Sequence, residues 1–296
     1  MNKIPNFFIV GGPKCGTTAM NQYLGQHPDI FMAQKELHFF SSDLKLKYHI
    51  SENEYLDYFQ GVKNEKIVGE ASVWYLFSEM AAQAIKAFSP EAKILIMLRN
   101  PIEVIHALHS QHLYDGNEDV RDFAKALRMD ESRKKGLNLP ESLEYLELPP
   151  YLDSVLFSGQ VKRYLDVFGE RNVFIILYND FVTDSKKVLY ETMEFLGLNP
   201  QTDLETKIIN PNKRIINLYL HRILKNPSPL LKKFVRLILP VKRIRHEMMK
   251  TLFSLNKRIA KRDNLDENLM VKLKLELSGD IKELSQIINR DLSAWL

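Results

Sequence analysis

Apolar positions in this chain fall into short unbroken runs separated by longer amphipathic stretches. Phe7-Phe8-Ile9-Val10, Ile94-Leu95-Ile96-Met97-Leu98 and Val173-Phe174-Ile175-Ile176-Leu177 are runs of strand length, and Lys66-Ile67-Val68-Gly69-Glu70 is a shorter one. Runs without polar alternation suit strands of a parallel sheet, which are covered on both faces. Between them, apolar residues at helical spacing predict helices over 17–26, 78–88, 119–128, 154–168 and 183–196, the last stopped by Gly197. Pro101 sits where another helix opens, a place where its missing N–H costs little. The segment 30–40 reads as a polar loop with an apolar cluster, and 130–148 as a charged stretch closed by Pro149-Pro150. Strands alternating with helices predict an α/β fold of three layers around a parallel sheet. Ligands of such sheets bind beyond the carboxyl ends of the strands, which gathers loops 11–18, 71–75, 99–110 and 178–180 at one edge.

The 296 residues are 45% hydrophobic and 26% charged, as in ordinary globular chains, and there is room for one large α/β domain. The expected division is a single domain over 1–296, with an α/β core over 1–215 and a helical, basic C-terminal extension over 216–296 packed on it. No apolar run reaches the roughly 20 residues of a membrane span. The first residues lack a basic, apolar and small-residue leader pattern, so a cytoplasmic protein is expected. Cys15 is the one cysteine, which excludes an intramolecular disulfide. It reads either as a small residue filling a tight loop or as a thiol activated at a helix start. His106, His109 and His112 fit a helix better than a zinc site, and no metal is expected.

Charge is unevenly spread. From Lys213 to Arg262 there are fifteen Lys and Arg residues against one acid, Glu247, so this stretch is +14 within a chain of net charge +4. Leu230, Leu231, Phe234, Val235, Leu237 and Ile238 recur at helical spacing there, with Lys232, Lys233 and Arg236 between them. Three readings stand. Residues 222–262 lie on an anionic membrane surface, dock an acidic carrier protein or polysaccharide, or form a helical cover whose charges are solvated. Few aromatic residues interleave with the basic ones, which argues against nucleic acid.

The densest chemistry lies in Gly11-Gly12-Pro13-Lys14-Cys15-Gly16-Thr17-Thr18, directly after the first apolar run. A glycine-bracketed turn that opens a helix offers unpaired N–H groups and the positive end of the helix dipole to a phosphate. Gly11 and Gly16 have the spacing of a nucleoside-triphosphate loop, yet Thr17 stands where that loop carries its lysine. The cation of this loop is Lys14, inside it.

This P-loop-like segment resembles the 5′-phosphosulfate loop of sulfotransferases, which use 3′-phosphoadenosine 5′-phosphosulfate (PAPS). Lys35-Glu36-Leu37-His38-Phe39-Phe40 resembles the K-E-x-H-F-F signature of members that act on carbohydrates or polyketide chains. Arg99-Asn100-Pro101 resembles the family's 3′-phosphate motif, whose serine falls here at Ala107, with Ser110 three residues on. Asn210-Pro211-Asn212-Lys213-Arg214 is similar to its late basic loop, Gly69-Glu70-Ala71-Ser72-Val73-Trp74-Tyr75 to its segment after the second strand, and Leu292-Ser293-Ala294-Trp295 to the ending of bacterial members.

The resemblance implies an O-sulfotransferase. Glu36 would be the base, its carboxyl raised towards a useful range by Leu37, Phe39 and Phe40 around it. Lys14 would meet the bridging oxygen of the leaving phosphate, and His38 would orient Glu36 or the acceptor, or be a structural histidine. Pro13, Lys14, Cys15, Gly16, Thr17 and Thr18 would hold the 5′-phosphate, and Arg99, Ser110, Lys213 and Arg214 the 3′-phosphate. Ser72 is expected at the nucleotide, and Trp74 and Tyr75 either line the adenine or acceptor pocket or belong to the core. The expected acceptor is a small, hydrophobic alcohol, a steroid, lipid or polyketide-like chain, with a sugar hydroxyl left open beside it. The alternatives are an ATP-dependent small-molecule kinase, or a catalytically silent nucleotide-binding or membrane-docking module. The expected product is adenosine 3′,5′-bisphosphate.

Overall fold

A computed structural model describes residues 4–34, 36–45, 49–140, 149–200, 204–206, 213–215, 223–224, 227–228, 233, 235, 237–238, 241–259 and 265–296. Five strands form one wholly parallel sheet: β1 (Phe7–Ile9), β2 (Ile30–Met32), β3 (Ile67–Ala71), β4 (Lys93–Leu98) and β5 (Val173–Leu177). Their order across the sheet is β2-β3-β1-β4-β5. From β1 the chain runs outward to β2, returns to β3 beside β1, and then crosses to β4 on the other side. The direction of winding reverses at β1, which opens a crevice at the carboxyl ends of β1 and β4. All of β1 is buried, and so are Ile94 to Leu98 of β4. The apolar runs therefore mark the strands that are covered on both faces.

The helices that flank the sheet are α1 (Thr17–Leu24), α2 (Glu52–Asp57), α3 (Ala81–Phe88), α4 (Pro101–Asp115), α5 (Phe123–Lys134), α6 (Phe157–Phe168), α7 (Tyr178–Thr183) and α8 (Ser185–Phe195). Two elements differ from the sequence expectation for identifiable reasons. The apolar cluster at 30–40 begins with strand β2, only three residues long, which adds to β3 in register Ile30 to Ile67. The helix expected over 119–128 starts later and runs into the charged stretch, because the Asp122 side chain caps it by accepting from the Lys125 N–H.

Further along, β6 (Lys213–Ile215) pairs antiparallel with β7 (Lys257–Ile259), and α9 (Lys242–Leu255) precedes β7. The long α10 (Glu267–Ile287) buries Leu273, Leu277, Ile281 and Leu284 against the α/β core, chiefly on α6. Asp280 of α10 accepts from the Phe157 and Ser158 N–H groups, at 2.9 and 3.1 Å, and so caps the start of α6. The chain ends in a single 3-10 turn, Ser293–Trp295, with Leu292 and Trp295 buried. Of the basic stretch, Leu230, Leu231, Lys232, Phe234 and Arg236 lie outside the described residues. Leu237, Ile238 and Ile244 are exposed. Among the described residues no helix is long and apolar enough to cross a membrane.

Candidate active site

The loop after β1 is shaped by its glycines. A Cβ at Gly11 would lie 2.7 Å from the Met97 carbonyl oxygen and 2.8 Å from both Met97 Cβ and Thr17 Cγ2, so only glycine fits between β4 and α1. The Gly12 N–H then donates to the Met97 carbonyl at 3.1 Å, which ties the loop to β4. Lys14 (φ 63°) and Gly16 (φ 95°) adopt left-handed backbone conformations. The hand of the backbone thus alternates over a short span, as in anion nests, and within it the Cys15 N–H donates to the Gly12 carbonyl at 3.3 Å. Gly16 opens α1 and brings no side chain to cap it, so the positive end of the α1 dipole faces this loop.

Three elements surround this loop. At the end of β4, Asn100 caps α4 by accepting from the Ile102 N–H at 3.0 Å, with Pro101 in the first turn. That tight junction sets Arg99 beside the loop, where its Nη1 donates to the Lys14 carbonyl at 3.4 Å. The guanidinium stacks on Tyr178, 4.4 Å from the ring centre, and pairs with Glu103 one helical turn on. Tyr178 itself opens α7 after β5, and its ring stands where a Cβ on Gly16 would come within 3.2 Å. On α4, Gln111 accepts from the Lys14 ammonium at 3.1 Å and donates to Asp115 at 2.8 Å. The motifs did not single out Gln111 or Tyr178. The signal for Gln111 was its place one helical turn beyond Ala107 on the helix that follows Arg99.

Ser110 also lies on α4, with its hydroxyl donating back to the His106 carbonyl at 3.1 Å. Its proton is engaged within the helix, so it reaches an incoming phosphate only by releasing that bond. His109 is held by the Val120 carbonyl at 2.8 Å, and burial pushes the His112 imidazole down to about 3, so it is neutral. Cys15 is fully buried, and burial pushes its thiol up to about 12. That settles Cys15 as a filler of the loop rather than an activated thiol. Pro13 and Thr17 are buried and Thr18 is half-buried. The backbone of Lys213 and Arg214 lies in β6, which runs beside α4. Their side chains lie outside the described residues, as does Lys35.

The Glu36 turn is fastened at the same edge of the sheet. The Ser72 N–H, just past β3, donates to the Ile9 carbonyl at the end of β1 at 3.2 Å. Ser72 Oγ accepts from the N–H groups of Leu37 and His38 at 3.0 and 3.1 Å. His38 takes a left-handed backbone (φ 52°), and its Nε2 lies 3.1 Å from Glu36 Oε2.

Two expectations change here. Ser72 clamps the turn from within rather than facing a nucleotide, and it is fully buried. For Trp74 and Tyr75 the core reading is the one the structure gives, at 3% and 0% exposed. The motif's phenylalanines do not desolvate Glu36. Phe39 stacks on Tyr55 with ring centres 4.4 Å apart, and Phe40 meets Phe88 at 5.2 Å. They anchor the turn, while the Glu36 side chain stays 30% exposed with His38 as its neighbour.

Comparison with known proteins places the chain in a family. The family model described as "Sulfotransferase domain" matches residues 5–225. A solved sulfotransferase from Alicyclobacillus acidocaldarius superposes with a TM-score of 0.73 at 31% identity, covering 99% of each chain. Carbohydrate sulfotransferase 15 of Rattus norvegicus is 28% identical over 262 aligned residues, 70% of this chain and 46% of that protein. The human bifunctional heparan sulfate N-deacetylase/N-sulfotransferase 2 is 25% identical, over 67% of this chain and 22% of its own length. The chain thus spans less than half the length of these curated relatives. With the family match covering most of the sequence and a solved relative aligned end to end, the chain belongs to the sulfotransferase family.

Proposed function

We propose that this protein is an O-sulfotransferase that moves the sulfonyl group of PAPS to an acceptor hydroxyl. The observation that carries the reading is the shared anchorage of two groups. A nest-like loop presents Lys14 and the start of α1, and the Glu36–His38 pair hangs on the same end of β1 through Ser72. PAPS supplies the activated sulfonyl group. The loop amides hold its 5′-phosphate, with Thr17 and Thr18 beside them, and Arg99 is the candidate for the 3′-phosphate through its planar fork. Glu36 takes the proton of the acceptor hydroxyl as that oxygen forms its bond to sulfur. Lys14 meets the negative charge left on the phosphate oxygen as the old sulfur–oxygen bond breaks. His38 holds the Glu36 carboxylate in one orientation. Adenosine 3′,5′-bisphosphate and a sulfate ester leave, and the proton passes from Glu36 to solvent.

The aromatic residues that favoured a hydrophobic alcohol lie in the core, and the groups around Lys14 are polar. The relatives matched are named for carbohydrates and heparan sulfate. We therefore take a sugar hydroxyl as the acceptor, and assign no partner to residues 222–262. A kinase reading lacks the lysine after Gly16.

The test is transfer from ³⁵S-labelled PAPS to a panel of desulfated polysaccharides, monosaccharides and apolar alcohols. Labelled sugar ester is expected from the wild type, and a loss of about 10²-fold or more in Glu36→Gln with bisphosphate binding retained. Labelling of apolar alcohols alone would reject the sugar, and a fully active Glu36→Gln enzyme would reject the base.

A further inference from the structure

Glu70 sits one residue before the carboxyl end of β3, wholly buried, and the reaction described above does not use it. Its carboxylate receives three hydroxyls: Tyr55 at 2.8 Å and Tyr75 at 3.0 Å on Oε1, and Ser72 at 2.9 Å on Oε2. The direction of each bond is set by what the hydroxyls accept. Ser72 Oγ already takes the N–H groups of Leu37 and His38, and the Tyr75 oxygen takes the N–H of Phe40 at 3.3 Å. With backbone protons arriving from one side, both hydroxyls must donate on the other, into Glu70. The carboxylate is thus the terminal acceptor of two relays that begin at backbone amides of the 37–40 turn. An ionised carboxylate, which donates nothing, accepts from all three hydroxyls with no proton of its own to place. Burial is the larger influence and raises the carboxyl above its ordinary range, while the three hydroxyls and nearby His38 pull it back.

Two successive N–H groups, those of Leu37 and His38, converge on one oxygen where His38 turns left-handed. That conformation is uncommon for a residue with a side chain and persists where the surroundings over-determine it. The same turn sets the 3.1 Å approach of His38 Nε2 to Glu36 Oε2.

We propose that Glu70 is a positioning residue: acting through Ser72, it holds the His38 turn and thereby aims the Glu36 carboxylate at the acceptor. The proposal rests on Glu36 being the base, and its test separates the two. Amide hydrogen exchange at Leu37 and His38 is measured in the full-length wild type, Glu70→Gln, Ser72→Ala and Tyr55→Phe. The side-chain amide introduced by Glu70→Gln brings an N–H₂ to face a hydroxyl, so the relay reverses or breaks. Glu70→Gln and Ser72→Ala are expected to exchange at these two amides at least tenfold faster, with affinity for adenosine 3′,5′-bisphosphate within threefold of wild type. Tyr55→Phe removes a donor to the same carboxylate while keeping the ring that stacks on Phe39, and it keeps slow exchange there. Equal acceleration by Tyr55→Phe means general loosening and overturns the proposal, as does wild-type exchange in Glu70→Gln.

With labelled PAPS and O-desulfated heparan sulfate as the acceptor probe, Glu70→Gln lowers kcat at least 30-fold with KM for PAPS within threefold. The Glu36→Gln/Glu70→Gln double variant loses no more than Glu36→Gln alone. An active Glu36→Gln enzyme defeats the base and leaves the exchange result standing. An inactive Glu36→Gln beside a fully active Glu70→Gln defeats the positioning role alone.

Discussion

The two halves of the candidate site are built in opposite ways. The 11–18 loop is held by main-chain geometry: glycine where a Cβ has no room, two left-handed residues, and backbone bonds to β4. The 36–40 turn is held by side chains instead, with Ser72 and Tyr75 reaching from beyond β3 and Glu70 gathering their protons. A backbone-built site announces itself in sequence, since glycine is required where a Cβ has no room, as at Gly11, and its spacing is rigid. A turn held by distant side chains does not, because Ser72 and Tyr75 come from a segment some 35 residues further along the chain.

Perturbations should separate the two constructions. The largest effect is expected for Lys14→Ala, which removes the charge but leaves the loop geometry intact. Turnover with labelled PAPS should fall about 10²- to 10³-fold while the melting temperature stays near wild type. A parallel collapse of stability would show that the Lys14–Gln111 bond supports the loop rather than the chemistry.

Next come the two scaffolds. Gly11→Ala drives a methyl group into Met97 and Thr17, and should cost about 1–3 kcal/mol in denaturant unfolding together with loss of bisphosphate binding. Tyr75→Phe strands the Phe40 N–H and takes a donor from Glu70, at a cost of about 1–3 kcal/mol. It should, however, leave bisphosphate affinity within threefold. If Tyr75→Phe weakened the nucleotide as much as Gly11→Ala, the two supports would not be separable.

A smaller shift is expected from Glu103→Gln. It frees the Arg99 guanidinium from its neighbouring carboxylate and should tighten bisphosphate binding about two- to fivefold by calorimetry. No gain would mean that Arg99 serves the loop through Tyr178 and not the nucleotide. The smallest effect is at Cys15. With its thiol near 12, the thiolate is about one part in 10⁴ at pH 8, and native protein should resist iodoacetamide until it is unfolded.

Much of the fold could be read from periodicity because the central strands are apolar on both faces and the glycine and proline punctuation is local. Strand β2 escaped since Ile30–Met32 is too short to show a period, and its pairing with β3 is a property of the sheet. Glu70 escaped for a related reason. A charged residue in a strand-length run reads as an edge or solvent-facing position, and its hydroxyl partners come from elsewhere in the fold. Of the site residues proposed from motifs, Arg99 lies against the Lys14 carbonyl and His38 against Glu36, the first pair beside a loop whose turn its own glycines dictate. Gln111 and Tyr178 required the packing of α4 and α7 to be known. Ser72 lay in the right segment with the wrong neighbour assigned, and Tyr75 was left between pocket and core, because sequence does not say which side of a strand end faces inward.

The central claim is that the loop from Gly11 to Thr18 grips a nucleotide carrying 3′- and 5′-phosphates. Calorimetric titration of adenosine 3′,5′-bisphosphate against ATP with magnesium, into the wild type and Arg99→Ala, addresses it directly. The account predicts one bisphosphate bound per chain, at least tenfold tighter than ATP with magnesium and about tenfold weaker in Arg99→Ala. Equal or tighter binding of ATP with magnesium, or no bisphosphate binding, would contradict it.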